Sequence, residues 1–277
     1  MEKQKKVKIR SKFSALDLKA EIEYLQPILT GCKVNSIYSL SNKTYLFKCG
    51  KVGVRINFLI DAGVRVFAQQ NFVEKNEKPN GFTLKLRKHL RSLFIKSIEQ
   101  VGVERVVKVS FNGIDPENKE FNYNLFIELY AKGNVVLTDD NMKIIALLRS
   151  HAYSETAKCV VNEIYPLQEA AKYYIDTIDI DTESKKTEFI NNKTTNSSYL
   201  MKLVPCAHQS LIETYLLKNK ISPSAKFDSK QTDQLVQIGK DILNIYAQNL
   251  GKTGYRYFIK GNKQSFEFSP ISLPFVI

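Results

Sequence analysis

A succession of short β-prone runs between residues 33 and 148 constrains this chain more than any other feature. The runs KVNSIYSLS and KTYLFKCG meet at Asn42, and VGVRINFLI and GVRVFAQ meet at Asp61-Ala62-Gly63, which predicts two hairpins. A second series follows, separated by turn residues: SIEQVGVERVVKVSF, NYNLFIELYA, NVVLTD and KIIALLR. This part of the chain is therefore expected to be rich in β-structure.

Segments with the apolar periodicity of helices precede and follow the β region. In FSALDLKAEIEYLQPIL, apolar residues recur at i, i+4, i+7 and i+11, and Ser14 and Asp17 have the spacing of a capping box. Farther along, SYLMKLV, SLIETYLLKN and TDQLVQIGKDILNIYAQNL predict three helices. The last run, YRYFIKGNKQSFEF, predicts a hairpin that turns at Gly261-Asn262. The predicted fold class is α+β.

Residues 85–92, KLRKHLRS, combine a helical pattern with a dense positive charge. Leu86, Leu90 and Leu93 fall at i, i+4 and i+7 and predict a buried face. The remaining positions hold cations and one histidine: Lys85, Arg87, Lys88, His89 and Arg91. Like charges at helical spacing repel by a few tenths of a kcal/mol per pair, which an anionic partner would relieve. The alternative is a solvated helix face.

The positive charge of the whole chain is unevenly placed. Of the net charge of +13, residues 1–100 carry 20 Lys or Arg against 8 Asp or Glu, whereas residues 101–200 carry 11 against 15. A positive field concentrated in one third of a folded chain favours a polyanionic partner, nucleic acid before a membrane surface. Lysine used only as a solubilising residue is the alternative.

Several motifs of enzymes and metal sites are missing from the sequence. No GxxxxGKS/T or GxGxxG stretch indicates a nucleotide-phosphate loop, and no GxSxG or HExxH stretch indicates a hydrolase. The four cysteines and three histidines are too scattered to predict disulfides or a zinc site. With neither a secretory h-region nor an apolar run of about 18 residues, we expect a cytoplasmic binding module without catalytic residues, metal, cofactor or membrane contact.

Five stretches resemble the N-terminal region of the NFACT family in order and spacing: FSALDL, NKTYLFK, RKHL, VGVERVV and ELYAKGNVVLTD. That family includes the eukaryotic nuclear export mediator factor, the ribosome quality-control tail-elongation factors, and bacterial RqcH and fibronectin-binding-type relatives. The resemblance implies a β-rich domain like that of formamidopyrimidine-DNA glycosylases over residues 1–172. It also implies a small helix-hairpin-helix-like domain over 173–250, and a β-hairpin over 251–277 that leads to a coiled coil missing from this chain.

The resemblance further implies a function and partners. Such proteins bind the large ribosomal subunit with its stalled peptidyl-tRNA, and recruit aminoacyl-tRNA for untemplated C-terminal tailing of the nascent chain. In eukaryotes they also help a Listerin-type ubiquitin ligase to dock. On this basis the basic residues of the 85–92 helix are expected to face phosphates of tRNA or ribosomal RNA.

Three residues match positions that the family needs for tail synthesis. Asp17 falls on the aspartate of the first helix, and Glu104 and Arg105 fall on an Asp-Arg pair, with Glu104 one methylene longer than the usual aspartate. Each has a structural alternative. Asp17 could simply cap the helix begun at Ser14, and Glu104 and Arg105 could alternate on a strand and pair across it.

Two other functions remain open at this point. A DNA-repair glycosylase would share the fold, but those enzymes use an N-terminal proline amine as nucleophile, whereas the first proline here is Pro27. A fibronectin-binding adhesin would need a secretion signal. In the helical region, the hairpin at residues 205–208 lacks the glycine through which a backbone approaches a phosphate. We expect a structural or protein-contacting role for that hairpin, with weak nucleic-acid binding.

Overall fold

The computed structural model describes residues 12–71, 73–74, 78–174, 178, 194–250, 255–259 and 262–269. The chain divides into two compact units. One spans Leu18–Tyr174, and the other contains the described residues before Leu18 and after Tyr174. A large antiparallel sheet and several helices together confirm the α+β class.

Nine antiparallel strands form the main sheet of the Leu18–Tyr174 unit. They are β1 Lys33–Ser39, β2 Thr44–Lys51, β3 Val54–Asp61, β4 Arg65–Gln69, β5 Phe94–Gln100, β6 Val106–Ile114, β7 Glu120–Glu128, β8 Asn134–Asp139 and β9 Ile144–Leu147. Their order in the sheet is β4-β3-β2-β1-β5-β6-β7-β8-β9. Every neighbouring pair except β1–β5 is therefore joined by a short connection, and both predicted hairpins, β1–β2 and β3–β4, are confirmed.

Two glycines bring distant turns of this sheet together. Gly63 follows β3 with a φ of 81°, and Gly133 precedes β8 with a φ of 73°. A Cβ atom on Gly133 would lie 2.3 Å from the amide nitrogen of Gly63, so no larger residue fits without a backbone shift. The turn that starts β4 and the turn that starts β8 therefore pack backbone against backbone.

One prediction about the strands is wrong. The run SIEQVGVERVVKVSF was expected to be a single β segment, but β5 ends at Gln100 and β6 begins at Val106. Residues 101–105 form the turn between them, with Gly102 at a φ of 57° in the left-handed region. Glu104 and Arg105 therefore do not alternate on a strand, and the cross-strand pairing considered for them does not occur.

The first helix, α1 (Ala15–Leu29), follows the predicted pattern. Its four periodic apolar residues are all buried: Leu18, Ile22, Leu25 and Leu29. The helix α2 (Gly81–Leu90) starts at Asn80, whose side chain accepts from the amide of Thr83 at 2.8 Å. Leu86 and Leu90 are buried as expected, but the helix ends before Leu93, which is buried in the connection to β5.

The core under β6–β9 contains a buried carboxylate. Glu128, at the end of β7, is 1% exposed and accepts hydrogen bonds from the hydroxyls of Tyr153 and Tyr165, the latter at 3.1 Å. The Tyr165 ring stacks on Phe126 with 4.4 Å between centroids. The short elements around this core are β10 His151–Ala152, β11 Lys158–Cys159 and α3 Leu167–Ala170. Burial raises the pKa of Glu128, which its hydroxyl donors partly oppose.

The second unit is mainly helical. It contains α4 (Asn196–Leu203), α5 (Gln209–Lys218), a short 3-10 helix at Ser229–Gln231, α6 (Thr232–Ala247), and the antiparallel pair β12 (Tyr255–Ile259) and β13 (Asn262–Ser269). The three helices and the hairpin were all predicted. Of the predicted turn, Asn262 begins β13 and Gly261 lies outside the described residues. No helix in the described ranges is long and apolar enough to cross a membrane.

Candidate functional site

The turn at residues 101–105 is held by backbone hydrogen bonds on both sides. The amide of Val103 donates to the carbonyl of Tyr173 at 2.9 Å, and the amide of Leu129 donates to the carbonyl of Arg105 at 2.8 Å. The side-chain amide of Gln100 donates to the carbonyl of Glu104 at 2.8 Å. The turn is therefore fixed against three other parts of the same unit, so the direction in which it presents its side chains is well defined.

Gly102 permits this close packing. A Cβ atom at that position would lie 2.3 Å from the carbonyl oxygen of Tyr173, and the φ of 57° also disfavours any side chain. The approach of residues 172–174 to the turn therefore depends on a glycine. The sequence contained this signal, since a glycine inside a β-prone run commonly marks a bulge or a close backbone contact.

The carboxylate of Glu104 is half-buried and accepts hydrogen bonds from the amides of Tyr173 and of the following Arg105. Burial raises the pKa of Glu104, and the positive charges of Arg105 and Lys172 act in the opposite direction. Because the carboxylate is occupied by backbone donors, its main physical role is to hold the turn in place.

Arg105 offers a different kind of group. Its backbone is anchored through Leu129, and its half-buried guanidinium makes no hydrogen bond or ion pair within the described part of the chain. The positive charge of this guanidinium opposes the effect of burial on the pKa of Glu104 more strongly than that of Lys172 does. A planar guanidinium on a fixed backbone can donate two parallel hydrogen bonds to a phosphate or a base edge.

Asp17 lies in the other unit and has the geometry of a helix cap. Its carboxylate accepts from the amide of Ser14 and from the hydroxyl of Ser14, both at 2.7 Å, while the amide of Asp17 donates to the Ser14 hydroxyl at 3.2 Å. This is the reciprocal pattern of a capping box. The local structure therefore accounts for the position of Asp17 at the start of α1.

The five basic positions between residues 85 and 91, four in α2 and Arg91 directly after it, fall into two groups. Lys85, Lys88 and Arg91 are exposed, and no carboxylate pairs with them among the residues described. Arg87 and His89 are half-buried. The three exposed cations form a positive surface that is suited to phosphates at low specificity.

Arg87 and His89 are held by neighbours in the same unit. The Nε of Arg87 donates to the carbonyl of Ile37 at 2.6 Å, and its Cζ lies 5.1 Å from the centre of the Tyr38 ring. The Nδ1 of His89 lies 3.3 Å from the hydroxyl of Tyr123. Burial, and to a lesser degree the positive charge of Lys88, lowers the pKa of His89.

The hairpin between α4 and α5 packs against its own helical unit. Cys206 and Ala207 are buried, and the carbonyl of Cys206 accepts from the hydroxyl of Tyr246 at 3.0 Å. His208 caps α5, because its Nδ1 accepts from the amide of Leu211 at 3.1 Å. These contacts support the structural role that we expected for this hairpin.

Metal-ligating groups do not converge in the described ranges. No three His, Cys, Asp or Glu side chains come close enough there to hold an ion. All four cysteines are buried free thiols. Burial raises the pKa of the Cys49 thiol above its ordinary value, which is the behaviour of a structural rather than a reactive cysteine.

Comparison with known proteins identifies the family. A family model described as NFACT N-terminal and middle domains matches residues 14–274. The chain belongs to the NFACT family. Among NFACT relatives, the human ribosome quality control complex subunit NEMF is 35% identical over 228 residues, which are 80% of this chain and 20% of that protein. Ribosome quality control complex subunit 2 of Schizosaccharomyces pombe is 30% identical over 187 residues, 67% of this chain and 17% of that protein.

The NFACT chain described here thus spans about a fifth of the length of these relatives. Its fold is also similar to a solved structure, the fibrinogen binding protein from Staphylococcus aureus. The TM-score is 0.63 at 16% sequence identity, with 94% of this chain and 91% of that chain covered. At this identity the likeness concerns the fold alone.

Proposed function

We propose that this chain is the N-terminal part of a ribosome quality-control factor. In this role it binds the large ribosomal subunit that carries a stalled peptidyl-tRNA, and recruits aminoacyl-tRNA for untemplated C-terminal tailing. Membership of the NFACT family and the names of the human and fission yeast relatives support the proposal. Because the chain covers about a fifth of those relatives, the activity of the complete protein depends on further segments as well.

The observation that carries the proposal is the anchored turn at Glu104–Arg105. Its backbone is fixed by hydrogen bonds to Tyr173 and Leu129, and Glu104 is bonded to amides, which leaves the guanidinium of Arg105 available. A preorganised guanidinium loses little conformational entropy when it binds a phosphate or a base edge. In our proposal Arg105 contacts the incoming tRNA and Glu104 positions it, while Asp17 contributes from the cap of α1.

The proposal includes the partners and properties that accompany this role. The exposed cations of α2 contact tRNA or ribosomal RNA, a Listerin-type ubiquitin ligase joins the complex in a eukaryotic cell, and the protein acts in the cytoplasm. We also propose that the β-rich unit is related in fold to the formamidopyrimidine-DNA glycosylases, and the helical unit to a helix-hairpin-helix module. The chain acts by binding and has no catalytic activity of its own.

A reconstituted reaction tests the proposal. Purified large subunits with stalled peptidyl-tRNA are mixed with the full-length protein and aminoacyl-tRNA, and co-sedimentation and lengthening of the nascent chain are measured. Subunits without peptidyl-tRNA serve as the control. We expect retention of both protein and tRNA only on the stalled subunits, and failure of the protein to co-sediment with them would contradict the proposal.

A DNA-glycosylase activity has no observation in its favour. The curated relatives are named as ribosome quality-control subunits, which does not favour a role in DNA repair. Borohydride trapping on abasic DNA provides a direct check, because it captures the Schiff base of a glycosylase-lyase. A trapped covalent complex would reverse our view that the chain is a binding module.

A further inference from the structure

Arg87 is the most constrained cation of α2. Its Nε donates to the carbonyl of Ile37, and its guanidinium lies against the ring of Tyr38. Its two terminal nitrogens have no hydrogen-bond partner in the part of the chain that the structure describes. The side chain is therefore held in one conformation with its bidentate edge unused, which is the arrangement that a phosphate requires.

A second cation lies against the same ring from a different element. The Nζ of Lys48, on β2, is 5.7 Å from the centre of the Tyr38 ring, compared with 5.1 Å for the Cζ of Arg87. The two charges are consequently no more than about 11 Å apart. Lys48 is half-buried, and neither cation forms an ion pair with a carboxylate of the described chain.

The neighbours of Lys48 in the sheet are neutral. Lys48 lies directly opposite Ser36 on β1 and opposite Asn57 on β3, and Asn57 in turn lies opposite Gln69 on β4. Side chains at directly opposed positions project from the same face of a sheet. A row of amides and a hydroxyl therefore flanks Lys48, with no acidic residue among its direct cross-strand neighbours to repel an anion.

We infer that Arg87, Lys48 and Tyr38 form a binding site for a backbone phosphate of tRNA, so that the RNA surface extends from α2 onto the face of β1–β3. Arg87 binds the phosphate through its terminal nitrogens, Lys48 adds a second charge, and Tyr38 positions both. This inference rests on the proposed function for the choice of tRNA. It assigns to Lys48 and Tyr38 roles that the sequence pattern of α2 does not indicate.

An RNA phosphate fits this site better than an acidic peptide does. The exposed cations Lys85, Lys88 and Arg91 continue the positive charge along α2, as a chain of regularly spaced phosphates requires. The neutral amides of the sheet row can also contact ribose or base edges. A peptide carboxylate would bind the same guanidinium nitrogens of Arg87, so a competition experiment is needed to distinguish RNA from an acidic peptide.

The test measures binding of fluorescently labelled tRNA to the full-length protein by anisotropy over a range of salt concentrations. Lys48→Gln should weaken binding about 3-fold to 10-fold and lower the log–log salt slope by about 0.7–0.9, because the variant binds one phosphate fewer. Arg87→Lys keeps the charge and should weaken binding while leaving the slope nearly unchanged. Tyr38→Leu should weaken binding without changing the slope, whereas Tyr38→Phe should bind like the wild type.

Lys158→Gln, which removes an exposed lysine on β11, is the matched control. If Lys48→Gln behaves like this control while the wild type binds tRNA, the site is wrong and the proposed function stands. If the wild-type protein does not bind tRNA, both are overturned at the first measurement. Polyglutamate should compete poorly, and competition as strong as that of unlabelled tRNA would contradict the assignment to RNA. Thermal melting of each variant separates loss of binding from loss of folding.

Discussion

The amide of Leu129 donates to the carbonyl oxygen of Arg105 across 2.8 Å, just beyond the last residue of β7. This bond extends the β6–β7 pairing by one step into the turn, because Val106 is already paired with Glu128. The backbone of Arg105 is thus part of the sheet, while its side chain is not needed by the sheet. A substitution of the Arg105 side chain should therefore test its role in binding without disturbing the sheet.

Replacing Arg105 with alanine should leave folding almost unchanged and abolish recruitment of aminoacyl-tRNA. The guanidinium makes no hydrogen bond or ion pair in the described part of the chain, and only its charge acts on the half-buried carboxylate of Glu104, so the free energy of unfolding should fall by no more than about 1 kcal/mol. Thermal melting measures the first effect and tail formation on stalled subunits measures the second. Arg55→Ala, at an exposed position of β3, is the control. Normal tails from Arg105→Ala would remove this residue from the site.

Glu104 should behave in the opposite way, with a measurable effect on stability. Glu104→Ala leaves the amide of Tyr173 without its acceptor, and because Tyr173 is exposed and water can take the place of the carboxylate, the cost should be about 0.5–1.5 kcal/mol. Glu104→Gln keeps an acceptor oxygen of the same reach, and should melt near the wild-type temperature. Glu104→Asp keeps a carboxylate at this position and should retain tailing. Equal stability of the alanine and glutamine variants would mean that the carboxyl group does not hold the turn.

Local patterns in the sequence were sufficient to predict much of the fold. The helix α1 has a strict apolar period and a capping pair, Ser14 and Asp17, and the structure contains both. The hairpins were predictable because their turns contain Gly63 or polar residues such as Asn42 between β-prone runs. These features depend on residues a few positions apart, so no knowledge of the tertiary structure is needed to find them.

Gly102 signalled an irregularity in its β-prone run, but the turn at residues 101–105 and its contacts could not be predicted from such local patterns. The residues on both sides of Gly102 are β-prone, and the contact that fixes the turn comes from Tyr173, about seventy positions later in the chain. The buried Glu128 was missed for a similar reason. Its hydroxyl donors, Tyr153 and Tyr165, follow β9 and reach it only after the chain has folded. The difference between Arg87 and its exposed neighbours likewise depends on β1.

The exposed cations of α2 should contribute to RNA binding mainly through charge. Replacing Lys85, Lys88 and Arg91 together with alanine should lower the log–log salt slope by about 0.7–0.9 for each phosphate that the variant no longer binds. Affinity for the large subunit and for tRNA can be compared by sedimentation and anisotropy. Since these side chains are exposed and unpaired within the described chain, melting should change little. An unchanged salt slope would mean that this helix face is only solvated.

Glu21, on α1, should make the stability of the protein depend on pH. Burial raises the pKa of its carboxyl group from the ordinary value near 4.5 to about 7. Between these values the folded protein holds a proton that the unfolded chain has released. The free energy of unfolding should therefore fall as the pH rises from about 4.5 to about 7, by an amount on the order of 1–3 kcal/mol.

Glu21→Gln should remove this dependence, because the amide resembles the neutral acid. At pH 8 the variant should unfold at a higher temperature than the wild type, whereas near pH 4.5 the two should be equal. Glu23→Gln is a matched control on the same helix. Glu23 pairs with Lys19 one turn earlier, so its loss should lower stability at pH 8 by a few tenths of a kcal/mol. The two substitutions thus have opposite signs at pH 8. Destabilisation by Glu21→Gln at that pH would show that the ionised carboxylate has a favourable partner in the folded protein.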